Sequence, residues 1–392
     1  MAPLNVGVIG YGLSAKVFHI PFDLIADPAV HLVIVTTPPN THRALAEACL
    51  RAGKHVLVEK PFVPSSADAA YLAQLSAETG ALLCVFQNRR WDVDFLTVRD
   101  LLARRVLGDR VVDWKVGLAA EQGGGPLYDL GTHLIDQVYA LFGTPERVFG
   151  KVTAQRSAAA GDGGDAEPDS VTALLSYPAG GPAVHVRISV MSAQEPQPRF
   201  RIRGTRGTFV KSGLDPQEPH LRAGGTIADE GFGKDQHPGT IYLAKEDGSV
   251  SPGETWAGVE PQGYGTLLES FAEAINAKDA SKVPVKASEA ADVLRIIEAV
   301  MESSRTGAEI KLLKLEFEEA VQTPDPAVVV LVGPLGVAAR GTRMTHGTPP
   351  IQPPRGADDL LALDADLAAD DNIGATLAVD ADLERAAAVL LA

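Results

Sequence analysis

A short apolar run, LNVGVI from Leu4 to Ile9, ends directly on GYGLSA, and this junction limits the possible folds more than any other feature of the chain. An apolar run of that length bounded by glycine reads as a buried parallel strand. Gly10, Gly12 and Ala15 then fit the G-x-G-x-x-G/A pattern of a dinucleotide-binding turn. Gly10 permits the tight turn, Gly12 lets the backbone approach a pyrophosphate, and Ala15 lets the next helix pack close to the strand. The helix start offers free N–H groups and a partial positive charge to the phosphates. Glycine turns between a strand and a helix are common, so the pattern draws its weight from the segments on its C-terminal side.

Those segments alternate between strand and helix. His31 to Thr36, His55 to Val58 and Ala81 to Phe86 read as further buried strands, with helical patterns at Thr41 to Ala52 and Ser65 to Thr79. Repeated βαβ units imply an α/β Rossmann-like parallel sheet. Past Arg110 the segments lengthen and alternate, as in Ser170 to Tyr177, Ala183 to Met191 and Arg199 to Lys211, so an α+β domain with a mostly antiparallel open sheet is expected next. Helical stretches flank it at Leu130 to Phe142 and at Tyr264 to Arg305, the second broken near Val283-Pro284-Val285. The expected division is 1–112, 113–315 and 316–392. The last part is rich in Ala, Asp, Pro and Gly and carries an imperfect duplication, LALDADL from Leu361 and LAVDADL from Leu377. It reads as disordered or loosely attached, with a pair of short helices as the alternative.

The chain has 392 residues, 45% of them hydrophobic, enough for two cores. A net charge of -15 disfavours nucleic acid or an anionic membrane as partner, because either needs a basic face. A small molecule is the expected partner, and an open second-domain sheet is the surface through which a homo-oligomer could form. Cys49 and Cys84 each lie in apolar stretches and read as reduced core residues. With no basic leader and no apolar run of about 18 residues, the expected location is the cytoplasm.

Two further motifs carry chemistry. VEKPF puts Glu59, Lys60 and Pro61 at the end of a parallel strand, where open α/β sheets bind ligands. Such a pair by itself is more often ordinary surface. LYDLGTHLIDQ places Asp129, His133 and Asp136 four and three residues apart, so that all three can share a helix face. From spacing alone, a helix-capping Asp followed by a core histidine accounts for it equally well. A metal hydrolase built on these three would need a further ligand cluster that the sequence does not offer, and no metal site is expected.

Taken together, VIGYGLSAKVFHIPF, VIVTTP followed by His42, AGKHVLVEKPF, FQNRRWDVDFLTVRDL, LYDLGTHLIDQ and RIIEAVMESS resemble, in the same order, segments of the glucose-fructose oxidoreductase and inositol dehydrogenase (Gfo/Idh/MocA) family. The resemblance runs over about residues 4 to 315 and leans toward its NADP-dependent scyllo-inositol dehydrogenase subgroup. It implies a dehydrogenase transferring hydride between NAD or NADP and a secondary alcohol of a polyol or sugar. By resemblance the catalytic set is Lys60, Asp129 and His133, and the Lys-Pro bond is often cis. The cofactor contacts would fall on Gly10, Gly12, Leu13, Ala15, Thr37, Pro38, His42, Glu59 and Lys60. The chemistry suits these types: alcohol oxidation needs a group near neutral pKa to take the hydroxyl proton, which a histidine supplies. A lysine can hold the oxygen, and an aspartate can orient the imidazole or bond the substrate.

The chain also departs from that family. Fewer than twenty residues separate Gly12 from the strand at His31, whereas a complete half needs roughly 50 for its second strand, helix and third strand. DLIADPAV resembles the helix before the family's fourth strand, so the second and third strands are the missing block and the first strand becomes an edge. The residue that reads the ribose 2′ position belongs to that block. Pro39 replaces an asparagine frequent in relatives, and the segment KVGLAAEQ is a reduced form of one that often lines the substrate pocket. Two functional readings result: a working polyol or sugar oxidoreductase, or a non-catalytic remnant that does not bind cofactor productively.

Overall fold

The computed structural model describes residues 4–9, 25–108, 111–119, 126–155, 168–178, 180–189 and 194–312, the stretch 111–119 as backbone alone. The glycine turn at Gly10 to Ala15, the short helix expected after it and the segment 316–392 lie outside the described residues.

Strands β1 (Val6–Ile9), β2 (Leu32–Val35), β3 (His55–Val58) and β4 (Leu83–Val85) form an all-parallel sheet in that order. Every residue of β2 and β4 is buried, as uninterrupted apolar strands require when both sheet faces are covered. The covering helices include α1 (Pro39–Arg51) and α2 (Ser66–Thr79). Proline opens α1 at a position whose N–H would have no helical partner. At the start of α2 the Ser65 hydroxyl accepts from the Asp68 amide at 3.1 Å and donates to the Asp68 carboxylate at 2.8 Å.

Among the described residues β1 has β2 on one side and no strand on the other, and Val8 is 36% exposed. The opposite edge is covered: Val285 accepts from the Val85 amide at 3.2 Å, and Lys286 bridges Cys84. This contact uses the break in the long C-terminal helical stretch, between α6 (Gly265–Ala277) and α7 (Ala287–Thr306).

Helix α3 (Val93–Ala103) leads into a nine-stranded sheet of order β12-β11-β10-β9-β5-β8-β7-β6-β13. Its strands are β5 (Val111–Ala119), β6 (Arg147–Thr153), β7 (Ser170–Ser176), β8 (Ala183–Ser189), β9 (Pro198–Gly204), β10 (Gly207–Ser212), β11 (Thr240–Leu243), β12 (Glu254–Thr255) and β13 (Ile310–Lys311), with the short helix α5 (Gln217–Arg222) between β10 and β11. All neighbours are antiparallel except β5 and β8. Val171, Ala173, Leu175, Val184, Val186 and Ile188 point to one face, the face met by α4 (Pro126–Phe142) and α7. The alternation of Arg199 to Lys211 belongs to two strands and not one. The chain folds back at Thr205-Arg206, where Gly204 lies so close to the Leu107 carbonyl that a Cβ would overlap it. Among the described residues no helix is long and apolar enough to cross a membrane.

Candidate active site

Parallel strands bring their carboxyl ends to one side, and Thr37 and Pro38 follow β2 there as Glu59 and Lys60 follow β3. After β2, Thr36 donates its amide and its hydroxyl to the Ile9 carbonyl at 2.9 and 3.0 Å, which ties the ends of β1 and β2 together. The Thr41 hydroxyl donates to the Pro38 carbonyl at 2.7 Å, so in its 2.6 Å contact with Thr37 the Thr37 hydroxyl is the donor. After β3, the Lys60 amide donates to its neighbour Glu59 at 2.8 Å, and the Lys60–Pro61 bond is cis.

His42 has a different place from the one expected of a residue touching a cofactor. It is 1% exposed, with Nε2 2.6 Å from the Thr37 carbonyl and Nδ1 3.0 and 3.1 Å from those of Phe62 and Pro61. Burial lowers its pKa against these carbonyls, which favour the charged form. Carbonyls therefore face both ring nitrogens, and the ring lies between the loop after β2 and the loop after β3, where its N–H donates to one of them.

Helix α4 supplies the other side. Lys60 Nζ donates to Asp129 Oδ1 at 2.6 Å, and the two side chains are 23% and 30% exposed, so the pair is reachable from solvent. Asp129 lies in the first turn of α4, where a carboxylate meets the positive end of the helix. His133, one turn on, is 4% exposed, and its Nδ1 is enclosed without a partner among the described residues. Burial, and after it the cations of Lys60, Arg89 and Arg199, hold the imidazole well below the usual histidine range. Asp129 is bonded to Lys60, not to the imidazole. Asp136 turns away to Arg90, whose Nε and Nη2 each meet one carboxylate oxygen at 2.8 Å. The three residues that share a face by spacing thus divide into an open ion pair, an enclosed imidazole and a closed salt bridge.

Behind them lies a charge network that the sequence does not announce. Arg199, 1% exposed, donates to Asp94 and to Gln137 Oε1, both at 2.9 Å, and lies over the Phe200 ring at 4.3 Å. Arg89 meets Glu218 at 2.6 Å, and the Tyr264 hydroxyl donates to Asp92 at 3.0 Å. Asp215 accepts from the amides of Val93 and Gln217 at 2.7 and 2.8 Å, and burial raises its carboxyl to about 6. The one available signal is the density of charge in QNRRWDVD, too hydrophilic for a strand end unless its charges meet partners.

These residues fit the nicotinamide end of a dinucleotide: threonine hydroxyls after β2, a cation after β3 and a buried imidazole on α4. Gly10, Gly12, Leu13 and Ala15 lie outside the described residues. Beyond β1 no described strand offers a residue to the adenosine ribose.

Residues 97–312 match a profile described as oxidoreductase family, C-terminal alpha/beta domain, and residues 13–87 one described as oxidoreductase family, NAD-binding Rossmann fold. The uncharacterized oxidoreductase C115.03 of Schizosaccharomyces pombe is 32% identical over 375 residues, covering 80% of this chain and 100% of the relative. The scyllo-inositol 2-dehydrogenase (NADP(+)) IolW of Bacillus subtilis is 35% identical, covering 79% and 96%. The solved oxidoreductase yvaA of Bacillus subtilis superposes with a TM-score of 0.70 at 33% identity, covering 79% of this chain and 99% of the other. The 375 aligned positions with the Schizosaccharomyces protein exceed 80% of 392 residues, so that relative carries segments without a counterpart here.

A Rossmann-type parallel sheet followed by an open, mostly antiparallel one defines a two-domain oxidoreductase with NAD or NADP as its cofactor. The chain belongs to the oxidoreductase family of these profiles, that of glucose-fructose oxidoreductase and inositol dehydrogenase.

Proposed function

We propose that the chain transfers hydride between NAD or NADP and a secondary alcohol of a polyol or sugar, with Lys60, Asp129 and His133 as the catalytic residues. The observation that carries this is the 2.6 Å Lys60–Asp129 pair joining a strand end to the first turn of α4, with His133 one turn behind. The specificity for which the Bacillus subtilis relative is named favours an inositol-like substrate. When bound, the nicotinamide supplies the hydride acceptor. Lys60 holds the substrate oxygen and disfavours its protonated form, and Asp129 holds Lys60 in place. His133, neutral in its buried setting, takes the hydroxyl proton. Its Nδ1 is enclosed, so Nε2 is the accepting atom. Gly10, Gly12, Leu13, Ala15, Thr37, Pro38, Glu59 and Lys60 would contact the cofactor, with His42 holding two of their loops together.

A second reading, a relative that no longer binds cofactor productively, is favoured by the open edge of β1. The test is NADH and NADPH fluorescence titration of the purified protein together with turnover of a panel of inositols and aldoses. Saturable binding with turnover supports the enzyme. No binding and no turnover supports the remnant.

A further inference from the structure

Arg90 takes no part in the proton and hydride chemistry proposed for Lys60 and His133, yet its guanidinium joins two helices. It sits in the 3₁₀ turn Asn88–Trp91 that follows β4, and its side chain is 11% exposed. Its fork closes on both oxygens of Asp136 at 2.8 Å, and its Nη1 meets Glu289 of α7 at 2.7 Å. Asp136, 1% exposed, lies three residues after His133 on α4. The next residue, Gln137, donates to the Arg89 carbonyl at 2.6 Å. One turn of the first domain thus grips two successive positions of the helix that carries His133.

The geometry matters because Lys60 hangs from the neighbouring strand. β3 and β4 are paired Val56 to Leu83 through Val58 to Val85, so the loops bearing Lys60 and Arg90 leave adjacent strand ends of one sheet. His133 has no described partner at Nδ1 to fix its ring. Its position relative to Lys60 is then set by where the helix lies, and a bidentate guanidinium–carboxylate pair fixes angle as well as distance. We propose that Arg90 is a positioning residue: through Asp136 and Glu289 it sets the placement of His133 against Lys60. This rests on the proposed roles of Lys60 and His133.

A displacement of order 1 Å costs about 10²-fold in rate. Arg90→Lys keeps the charge and loses the fork, so kcat should fall by about 10- to 100-fold while cofactor KM stays near the wild-type value. Removing one partner alone strands a buried charge, so the double variant Arg90→Met with Asp136→Leu separates folding from positioning: it should melt close to the wild type yet show the same loss of kcat. Wild-type kcat in a folded double variant overturns the proposal. A readout independent of activity is the NMR signal of His133 in histidine-labelled protein, assigned by its loss in His133→Ala. It should shift or broaden in Arg90→Lys and in the double variant, and unchanged signals in both would refute the positioning role. If the wild type turns over none of the substrates, the functional reading fails and this spectrum alone decides on Arg90. If Arg90→Lys does not fold, the double variant carries both arms.

Discussion

Lys60 and Asp129 are 69 residues apart and joined by a hydrogen bond of 2.6 Å, so the cation at the end of β3 is already paired before any substrate enters. A hydroxyl arriving there has to share the ammonium with a carboxylate. The pair also has a neighbour, since Lys60 is one of the cations that depress the His133 pKa.

Replacing Lys60 should therefore do two things. Lys60→Met removes the donor that holds the substrate oxygen and should lower kcat/KM by about 10²-fold or more, on the scale of one lost oxyanion-type donor. It also removes a positive charge from the surroundings of His133, so the imidazole pKa rises. In the wild type the acid limb of kcat/KM for alcohol oxidation should lie below the ordinary histidine value of 6.5, and in the variant it should move up. Rate profiles from about pH 5 to 9 check both, and a wild-type limb above 6.5 would remove His133 from the role of base.

His133→Ala should cost about 10² to 10⁴ in kcat, the usual contribution of one general base. Asp129→Asn keeps shape and a hydrogen-bond acceptor but leaves Lys60 uncompensated. Its cost should be smaller, and its acid limb should shift down, opposite to Lys60→Met. Measuring the three variants side by side orders the roles, and an Asp129→Asn effect equal to that of His133→Ala would mean that the carboxylate contacts the reacting group.

The clasp at His42 predicts a pH-dependent stability. His42→Ala leaves a buried carbonyl, that of Thr37 or of Phe62, without its ring N–H donor and should cost about 1–3 kcal/mol at about pH 8. The folded pKa is lowered, so below the unfolded value of 6.5 the unfolded chain binds the proton first, and the stabilisation drains away as pH falls. Denaturant melts at about pH 8 and pH 5 should show the gap between wild type and variant shrinking at the lower pH. A gap that widens would mean that the folded ring is the better proton acceptor.

Cofactor binding should be weak and poorly selective between NAD and NADP, because no described strand stands where the ribose-reading residue belongs. Each missing charge-assisted bond removes about 1.5–3 kcal/mol, enough for a tenfold or larger loss of affinity. Calorimetric titration with both dinucleotides measures this, and a tight, strongly selective site would show that another segment supplies the reader.

Much of this architecture could be read from residues. LVIV and LCV are apolar without alternation, as suits a parallel strand covered on both faces. The shortness of the chain between Gly12 and Leu32 implied the edge position of β1. The Lys60–Asp129 pair was accessible only by resemblance, since nothing local links residues 69 apart. The hairpin within Arg199 to Lys211 is not legible because the alternation continues through the turn, and the Leu107 carbonyl, which accepts from the Arg206 amide and leaves no room for a Cβ at Gly204, is distant in sequence. The roles of Arg90 and Arg199 were invisible for a related reason. A charged side chain in sequence looks like surface, and only the fold reveals that its partners, Asp136 and Asp94, are buried with it.

The position of β5 has a consequence for how the molecule is made. It leaves the ribosome before any other strand of its sheet, yet it lies fifth of nine, between β8 and β9, whose sequences end 70 and 85 residues after its own. The parallel sheet can close from neighbouring units by residue 85, whereas β5 must wait, with both edges unpaired, for partners far down the chain. Contacts of such long sequence separation form slowly and leave strand edges open to misassembly. The paired parallel sheet, its β4 edge still uncovered, and the unpaired β5 therefore coexist during synthesis, and nascent chains stalled between β5 and β8 should be the ones that bind chaperones and aggregate.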